Sequence, residues 1–494
     1  MTGRQVAVVG AGPAGLAAAR AALGAGAEVT LIDAARQLGG QYHRTPPEEY
    51  AASRPEALQH GWPAFAKLRR ELLGHPRCAW WPETSVWALE RRDPGQQGPP
   101  RVHLLRGPAD GSHRVRQILE PDALVLACGA HDRVLPFPGW ELPGVFTAGA
   151  AQTLAKGERL MVGEQVVVAG SGPFLLPVAA SLVEAGSRVL AVLEANPAAV
   201  LARGWSRKPW QLAAQLGKAG ELIDFTGQLV RGRVPFRTGR TVIEARGAGR
   251  VEEVVTARLR PDWSVVRGSE RTLAVDAVCV SHGFSPQLEL PVAAGCALRG
   301  TPGAQFVQTD ARQRTTADGV WAAGEITGIA GAPAARAEGA VAGWYAGGGS
   351  PAARALPALR RSRDQGRDFA ARLARAHPIG AAWPGWLGPR TLVCRCEETD
   401  YATLCRAVQE QPGAAARTAK LATRAGLGPC QARVCGPTVT ELAARLRGAA
   451  PDAVPADGLP AAGPHHRPFA QPIRLGELAR PPEPPDAAPE HHGA

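Results

Sequence analysis

Four cysteines toward the end of the chain have the residue type and spacing of an iron–sulfur site. They form a C-x-C pair and a C-x4-C pair separated by 33 residues: Cys394 with Cys396, and Cys430 with Cys435. Cysteine thiolates bind the irons of such clusters, usually four around a 2Fe-2S core, and ligand pairs on tight turns lose less entropy when the site assembles. Gly and Pro in residues 426–437 form turns whose amide N–H groups can point at sulfur. The pattern predicts a 2Fe-2S electron carrier.

Zinc and disulfide bonds are the alternatives for these cysteines. Paired zinc ligands are usually two to four residues apart, which a C-x-C pair fits poorly. Disulfides need an oxidising compartment, whereas the chain begins Met1-Thr2-Gly3-Arg4 and enters an apolar strand without the h-region of a secretory signal. Both alternatives stay open, and the cluster is the preferred interpretation.

The composition narrows the possible functions. With 494 residues the chain has room for about three domains. Its net charge of +12 comes mostly from arginine, but no dense basic run carries interleaved aromatic residues, so nucleic-acid binding is not expected. Phosphate-bearing cofactors, an acidic partner or a simple arginine bias each explain the charge. No apolar stretch reaches the roughly 18 to 20 residues of a membrane span. We expect a soluble chain in a reducing cytoplasm, either free or peripheral at the inner membrane.

A strand, a glycine-rich turn and a helix follow one another near the N-terminus. After the apolar run at 6–9, Gly10, Gly12 and Gly15 form a G-x-G-x-x-G motif that opens an alanine-rich helix. In a Rossmann fold these glycines allow the tight turn, the approach of pyrophosphate to the backbone, and close helix packing with N-terminal amides facing the phosphates. Asp33 ends the next strand 18 residues beyond Gly15, where a ribose-binding carboxylate is expected. The segment predicts a dinucleotide-binding domain.

Later segments indicate which dinucleotide this is. Residues 38–41 and 315–325, the latter ending in Gly-Glu, resemble further signatures of FAD-dependent two-dinucleotide-domain oxidoreductases, and residues 122–131 resemble the segment that leaves their FAD domain. In that superfamily the late acid contacts the ribityl chain of the flavin. Glu325 stands here in place of the usual Asp and keeps its hydrogen-bonding capacity. The FAD-binding residues implied by the resemblance are Gly10, Gly12, Ala14, Gly15, Asp33, Gly40, Gln41, Gly129, Gly324 and Glu325.

A second copy of the fold begins after the apolar strand at 165–169. It has Gly170 and Gly172, but Leu175 occupies the third glycine position and should hold the helix further from the strand. Glu194 ends the next strand and could accept a hydrogen bond from a ribose 2′-hydroxyl, which favours NAD over NADP. We expect Gly170, Gly172 and Glu194 to bind NAD(P) or another adenine nucleotide. Redox-active use, a silent nucleotide and an empty scaffold all remain open.

These motifs divide the chain into segments. We expect an FAD-binding domain in 1–157 and 285–349, an inserted NAD(P)-binding-like domain in 158–284, a basic helical linker in 350–390, a 2Fe-2S domain in 391–448 and a Pro/Ala-rich, partly disordered tail in 449–494. The linker has the pattern of an amphipathic helix, either a solvated connector or a docking surface for an acidic partner. Within the tail, residues 467–479 are apolar enough to dock back onto the body.

Together these features resemble one family. Over residues 3–480 the chain resembles the flavoprotein α-type subunits of heteromeric amino-acid and opine dehydrogenases, the group that includes the A subunit of opine oxidase and the B subunit of hydrogen cyanide synthase. The specific stretches are 129–133, 136–140, 142–145, 147–152 and 324–329, while 393–397 and 423–431 resemble the bacterioferritin-associated ferredoxin (BFD) domain. The resemblance implies an α/β fold with two Rossmann-like dinucleotide domains and a small helical BFD-like 2Fe-2S domain.

The resemblance also implies a division of labour within a complex. A flavin-dependent amine-oxidase-like partner would oxidise an amino acid, imino acid or opine, and a small ferredoxin-like protein could complete the complex. This chain would relay the electrons through its 2Fe-2S cluster and FAD to a quinone or respiratory carrier. The sequence has no convincing Ser-His-Asp set or carboxylate pair, so the catalytic residues are unknown. Two alternatives remain: a self-sufficient NADH-dependent flavin/iron–sulfur reductase, and a non-enzymatic iron–sulfur sensor or assembly module on a flavin scaffold.

Overall fold

The strands of the protein form two parallel sheets and several small antiparallel sheets. The computed structural model describes residues 3–50, 52–54, 56–93, 96–206, 227–301, 304–410, 416–448 and 465–484. The strands are β1 Gln5–Val9, β2 Glu28–Ile32, β3 Cys78–Trp81, β4 Thr84–Glu90, β5 Arg101–Arg106, β6 Val115–Leu119, β7 Ala123–Leu126, β8 Ala130–Asp132, β9 Val145–Thr147, β10 Gln165–Gly170, β11 Arg188–Glu194, β12 Phe236–Thr238, β13 Arg240–Arg246, β14 Glu253–Arg258, β15 Arg271–Ala274, β16 Ala277–Ser281, β17 Phe284–Pro286, β18 Leu298–Thr301, β19 Ala304–Val307, β20 Val320–Ala322, β21 Leu392–Cys394 and β22 Thr399–Asp400.

Helices cover the faces of the parallel sheets and build the C-terminal part of the chain. They are α1 Pro13–Gly24, α2 Trp62–Leu73, α3 Ala148–Gly157, α4 Leu175–Glu184, α5 Ala198–Ser206, α6 Glu289–Ala293, α7 Ala332–Ala346, α8 Leu356–Ala376, α9 Tyr401–Glu410, α10 Ala416–Thr423, α11 Gly436–Leu446 and α12 Leu475–Leu478. In the described part of the chain, no helix has both the length and the apolar character needed to cross a membrane.

The first parallel sheet is assembled from two distant parts of the sequence. Its order is β20-β7-β1-β2-β3, so the late strand β20 lies beside β7 at one edge. The buried strands are covered on one face by α1 and α7, which pack closely. A Cβ atom on Gly339 of α7 would lie 2.0 Å from the carbonyl oxygen of Ala14 in α1, so only glycine permits this approach. The glycine-rich turn and the late segment are thereby brought together.

The second parallel sheet is inserted between those two parts, with the order β12-β11-β10-β16-β9. The antiparallel sheet β13-β14-β15 follows its edge strand along the chain. Buried side chains occupy the centre of the sheet, including all five residues of β16. The two-dinucleotide-binding-domain fold predicted from the sequence is therefore confirmed, since each glycine motif follows a central parallel strand and precedes a helix.

The C-terminal helices pack on the inserted domain through tryptophans. Trp263 and Trp386 stack with ring centroids 5.8 Å apart and an interplanar angle of 6°. Trp383 is fully buried and donates to Glu441 on α11 (3.1 Å). Trp140 donates to the carbonyl of Leu392 on β21 (2.7 Å). These contacts join α9–α11 and the hairpin β21–β22 to the rest of the protein.

Helix α8 belongs to the segment predicted as a basic linker, and its arginines do not all face solvent. Arg363 and Arg372 are buried. Arg363 donates to the carbonyl of Ala311 (2.5 Å), while Arg372 donates to the carbonyl of Trp205 on α5 (3.1 Å) and to Asp368 (2.9 Å). The helix therefore braces two domains, and the solvated-connector interpretation is wrong for this face. An arginine can bury the aliphatic stem of its side chain at little cost when its guanidinium group is paired.

The described part of the tail, residues 465–484, lies against the first domain, as predicted for 467–479. The amide of Ala470 donates to the carbonyl of Trp87 (2.7 Å). Arg114 makes a bidentate ion pair with Glu477, both N···O distances being 2.8 Å, and the two side chains are only 8% and 5% exposed. This hydrogen-bonded pair lowers the pKa of Glu477. A buried, bidentate carboxylate of this kind is a strong anchor.

We expect the Glu477→Gln substitution to release the tail. Removing one partner of a buried ion pair costs about 3–5 kcal/mol, because the other charge stays buried without compensation. The measurement is limited trypsin digestion after Arg474, which should become much faster. The matched control is Glu71→Gln, because its pair with Arg20 is exposed (60% and 40%) and is worth about 0–1 kcal/mol. Equal digestion of both variants would contradict the anchoring role of Glu477.

Candidate functional site

A large cavity lies between the first parallel sheet and α3. Its volume is about 1870 Å³, larger than the roughly 300–1,000 Å³ of an ordinary small-molecule pocket. The predicted FAD-binding residues that line it are Gly10, Gly12, Ala14, Asp33, Gly40, Gln41, Gly129, Gly324 and Glu325. Gly15 is not part of the lining but lies buried in α1. The structure thus brings four separate stretches of the sequence to one cavity.

The turn between β1 and α1 leaves peptide groups available at the cavity. Gly12 is the N-cap of α1 and has no side chain that could bond to the helix. The free amide groups at the start of α1 can therefore bind a phosphate. A Cβ atom on Gly15 would lie 1.6 Å from the carbonyl oxygen of Gly10. The close packing of helix on turn therefore requires glycine at Gly15. These features fit the pyrophosphate of a dinucleotide.

Asp33 lies at the end of β2, where a ribose would be bound. Its carboxylate accepts from the amides of Ala11 (2.5 Å) and Ala35 (2.8 Å). Burial raises the pKa of Asp33, although these two hydrogen bonds act in the opposite direction. Because Asp33 also lines the cavity, it is held in place by the backbone while remaining accessible to a ligand.

The late acid Glu325 has a partner that the sequence analysis missed. Glu325 accepts from the amide of Gly331 (2.9 Å) and lines the cavity. Glu338 on α7, only 6% exposed, accepts from the amide of Gly324 (3.0 Å) and the hydroxyl of Thr327 (2.5 Å). Burial raises the pKa of Glu338. Glu338 thus shapes the turn that carries Glu325, and the signal that could have indicated it is a lone acid in an Ala/Gly-rich helix.

The second glycine motif is built differently from the first. Helix α1 begins at Pro13, directly after Gly12, whereas α4 begins at Leu175, two residues after the equivalent proline. The intervening turn is tighter, since the amide of Leu175 donates to the carbonyl of Gly172 (3.3 Å). Because Leu175 carries a side chain, the backbone at this position cannot come as close to the strand as the backbone at Gly15 does. The altered phosphate cleft expected from Leu175 agrees with this later start of α4.

The acid of the second motif is enclosed. Glu194 is 1% exposed and accepts from the amides of Gly172 (2.8 Å) and Asn196 (2.9 Å). His377, beyond the end of α8, has its Nδ1 atom 3.1 Å from the Glu194 carboxylate. Burial acts to raise the pKa of Glu194, but His377 and the two amides outweigh it, so the pKa is lowered. Gly170 ends β10 and Gly172 lies in the turn before α4, whereas the hydrogen-bonding positions of Glu194 are taken by the chain itself.

The four predicted cysteines surround one small cavity. Cys394, Cys396, Cys430 and Cys435 all line a space of about 230 Å³ beside Trp140. They approach in two pairs: the Cys394 and Cys435 sulfurs are 3.6 Å apart, and Cys396 interacts with Cys430. Within the described ranges, no three His, Cys, Asp or Glu side chains converge on the position of a single metal ion.

Two of these thiols have a thiolate character. Hydrogen bonding from Cys435 lowers the pKa of Cys394 to about 6 and that of Cys430 to about 4, with backbone amides adding to the effect. Cys435 is the donor, and its pKa is raised. These two thiols therefore ionise more readily than an ordinary cysteine, and the thiolate is the more reactive form.

The cysteine loop contacts the wall of the large cavity. His131, two residues after the predicted flavin-binding Gly129, donates from Nε2 to the carbonyl of Arg433 (2.6 Å). Arg433 lies between Cys430 and Cys435 in the sequence. Arg433 also pairs with Glu289 of α6 (3.3 Å). One hydrogen bond therefore joins the cysteine loop to a cavity-lining residue.

Comparison with known proteins agrees with this architecture. The sequence matches the family described as pyridine nucleotide-disulphide oxidoreductase over residues 4–339. It is 32% identical to the A subunit of opine oxidase from Rhizobium meliloti, over 96% of this chain and 87% of the relative. It is 30% identical to the HcnB subunit of hydrogen cyanide synthase from Pseudomonas protegens, over 87% and 89% of the two chains. The crystal structure of L-proline dehydrogenase from P. horikoshii has the same fold, with a TM-score of 0.62 and 20% identity, over 97% of this chain and 81% of that one.

The fold and the paired glycine motifs define an FAD-dependent oxidoreductase with two dinucleotide-binding domains. The chain belongs to the pyridine nucleotide-disulphide oxidoreductase family and, within it, to the group formed by the opine oxidase A subunits and the HcnB subunits of hydrogen cyanide synthase. The family resemblance inferred from the sequence is confirmed.

We expect the Gly15→Ala substitution to abolish FAD binding, because the added Cβ would collide with the Gly10 carbonyl and displace α1 from the turn. The measurement is the flavin absorbance of the purified protein per mole of chain. The matched control is Gly24→Ala in the same helix, where a Cβ meets nothing within 4 Å. This control should retain FAD and gain up to about 1 kcal/mol of helix stability. Full flavin content in Gly15→Ala would show that the close packing is not required.

Proposed function

We propose that this chain is the electron-relay component of a heteromeric dehydrogenase whose partner oxidises an amino acid, imino acid or opine. The observation that carries the proposal is the hydrogen bond from His131 to the Arg433 carbonyl, because it links a four-cysteine cavity to the FAD-site wall within one chain. Bound FAD exchanges electrons in pairs or singly, whereas a 2Fe-2S cluster carries them singly. A protein that contains both can therefore divide a two-electron oxidation into single steps.

The residues around the large cavity fit FAD. The uncapped amides at Gly12 would bind the pyrophosphate, and Asp33 would accept from a ribose. Gly40, Gln41 and Gly129, together with Ala14, lie along the cavity where the rest of the cofactor would extend. Gly324 and Glu325, shaped by Glu338, would contact the ribityl chain. In each case the protein contributes binding and orientation.

The cysteine cavity fits a binuclear cluster better than a single zinc ion. A 2Fe-2S cluster takes two thiolates on each iron, and the four cysteines here approach as two pairs. A structural zinc site needs four ligands around one point, an arrangement not found among the described residues. We therefore assign Cys394, Cys396, Cys430 and Cys435 to a 2Fe-2S cluster. The amides of the surrounding turns would stabilise the charge on the sulfurs.

The proposed partners follow from the family. The relatives from opine oxidase and hydrogen cyanide synthase are by name subunits of larger enzymes. We propose that this chain assembles with a flavin-dependent amine-oxidase-like partner and with a small ferredoxin-like protein. Electrons would leave to a quinone or another respiratory carrier.

The enclosed state of Glu194 weighs against the alternative of an NADH-dependent reductase. A ribose hydroxyl would have to compete with His377 and two backbone amides for this carboxylate. The late start of α4 at Leu175 also moves the helix N-terminus that should face the pyrophosphate. If a nucleotide binds at Gly170 and Gly172, we propose that it does so without serving as the electron donor.

We expect the Cys430→Ser substitution to remove the 2Fe-2S absorbance and electron paramagnetic resonance signal while leaving FAD bound. In the full complex, amino-acid-dependent dye reduction should fall to the level seen without this chain. The control is Cys405→Ser, because Cys405 lies on α9 of the same module but does not line the cysteine cavity. Dye reduction that survives the loss of the cluster would favour the sensor or assembly role over electron relay.

We expect no rapid bleaching of the FAD when the isolated chain is mixed with NADH in a stopped-flow spectrophotometer. The physical reason is that Glu194 is already hydrogen-bonded within the protein. Dithionite reduction of the same sample is the control that shows the flavin is competent. Bleaching by NADH within the turnover time of the complex would replace the partner-fed proposal by the reductase alternative.

A further inference from the structure

A short segment of the tail lies directly against the cysteine loop. The Arg467 side chain donates to the side-chain oxygen of Gln431 (3.2 Å), and Gln431 directly follows Cys430. In the other direction, the Arg433 guanidinium group donates to the carbonyl of Ala470 in the tail. These two contacts hold the segment of the tail that carries Arg467 against the turn that carries Cys430.

Two arginines share one buried carboxylate beside this turn. Glu289 on α6 is only 6% exposed. One of its carboxylate oxygens lies 3.3 Å from Nε of Arg433 and 3.9 Å from Nη1 of Arg467, and these two side chains are only 20% and 11% exposed. Arginine stays protonated in proteins. The two guanidinium groups and the one carboxylate therefore carry an excess of positive charge.

This excess charge acts on the cysteine loop. Burial lowers the pKa of Arg467, whereas the charges of Glu289, Cys430 and Cys435 act in the opposite direction. Arg467 is therefore within electrostatic range of two of the four cysteines. Because the Arg467 side chain is mostly buried, water and salt screen this interaction less than they would screen a pair of exposed charges.

We propose that Arg467 of the tail raises the reduction potential of the 2Fe-2S cluster by supplying this excess positive charge. The inference rests on the proposed function, because it takes Cys430 and Cys435 as ligands of the cluster. Reduction adds one electron, and so one negative charge, to the cluster and breaks no bond. In the proposed relay this electron comes from the substrate that the partner oxidises. A nearby positive charge stabilises the more negative, reduced form, since net charge is one of the quantities that set a cluster potential.

The test uses the purified full chain with FAD and the cluster bound. The midpoint potential of the cluster is measured by a redox titration followed by electron paramagnetic resonance. At a given potential, Arg467→Gln should lower the ratio of reduced to oxidised cluster by about tenfold, because it removes an opposite charge from beside the cluster. For a one-electron couple this corresponds to a midpoint potential lower by about 59 mV. Arg467→Lys keeps the charge and should stay close to the wild-type potential.

A second variant separates the effect of charge from a loosening of the loop. Glu289→Gln removes the compensating negative charge and should raise the midpoint potential, opposite to Arg467→Gln. Water admitted by a loosened loop would instead shift both variants in the same direction. The matched control is Arg480→Gln, because Arg480 is an exposed arginine of the same tail whose backbone carbonyl, not its side chain, accepts from Arg116 on β6. This control should leave the potential unchanged.

Trypsin digestion shows whether the tail stays docked in Arg467→Gln. Cleavage after Arg474 should be as slow as in the wild-type chain, because the ion pair of Glu477 with Arg114 still anchors the tail. The altered potential would then come from the lost charge and not from a released tail.

Two outcomes would overturn the proposal. The first is an unchanged midpoint potential in Arg467→Gln, and the second is a shift of Arg467→Gln and Glu289→Gln in the same direction. Neither would affect the proposed electron relay, which is tested by dye reduction in the complex with Cys430→Ser. A wild-type chain without a cluster signal would instead refute the 2Fe-2S assignment, and this inference together with it.

Discussion

The close contact of α1 with α7 is the constraint on which the rest of the structure depends. At Ala14 and Gly339 the two helices approach so closely that a single added carbon on α7 would collide with the α1 backbone. This contact holds the glycine-rich turn against the late segment that carries Gly324 and Glu325. The whole inserted domain lies between these two parts of the sequence. The contact thereby brings residues from both parts of the first domain to the wall of the cavity.

Polar contacts then hold the C-terminal module in a defined position. Arg133 pairs with Glu441 (2.7 Å), and His131 donates to the carbonyl of Arg433. His131 lies in β8 and Arg133 directly follows it, shortly after Gly129. The tail adds a second clamp, since Arg433 also contacts the carbonyl of Ala470. Electron transfer between centres depends on their separation, so contacts that fix the position of the cysteine loop suit the proposed relay.

The two nucleotide motifs share a sequence pattern but differ in whether their acidic residue is accessible. In the first, Asp33 faces the cavity. In the second, Glu194 is enclosed by His377, a residue that follows α8 and is far away in the sequence. A motif describes a local turn, whereas its accessibility is set by whatever packs over it. The second domain therefore keeps its Rossmann fold while the carboxylate of Glu194 is hydrogen-bonded within the chain itself.

The sequence by itself determined the local features of this protein: the strand, turn and helix of each glycine motif, the four-cysteine pattern and the family. These depend on spacing and backbone conformation over a few residues, which the sequence records directly. It could not show which partners these groups meet: Glu338 at Gly324, His377 at Glu194, and the residues that bury the arginines of α8. Each of these needs two distant segments to meet. Only the tertiary structure decided them, because burial and pairing arise when separate elements pack, and they then set which charges stay accessible.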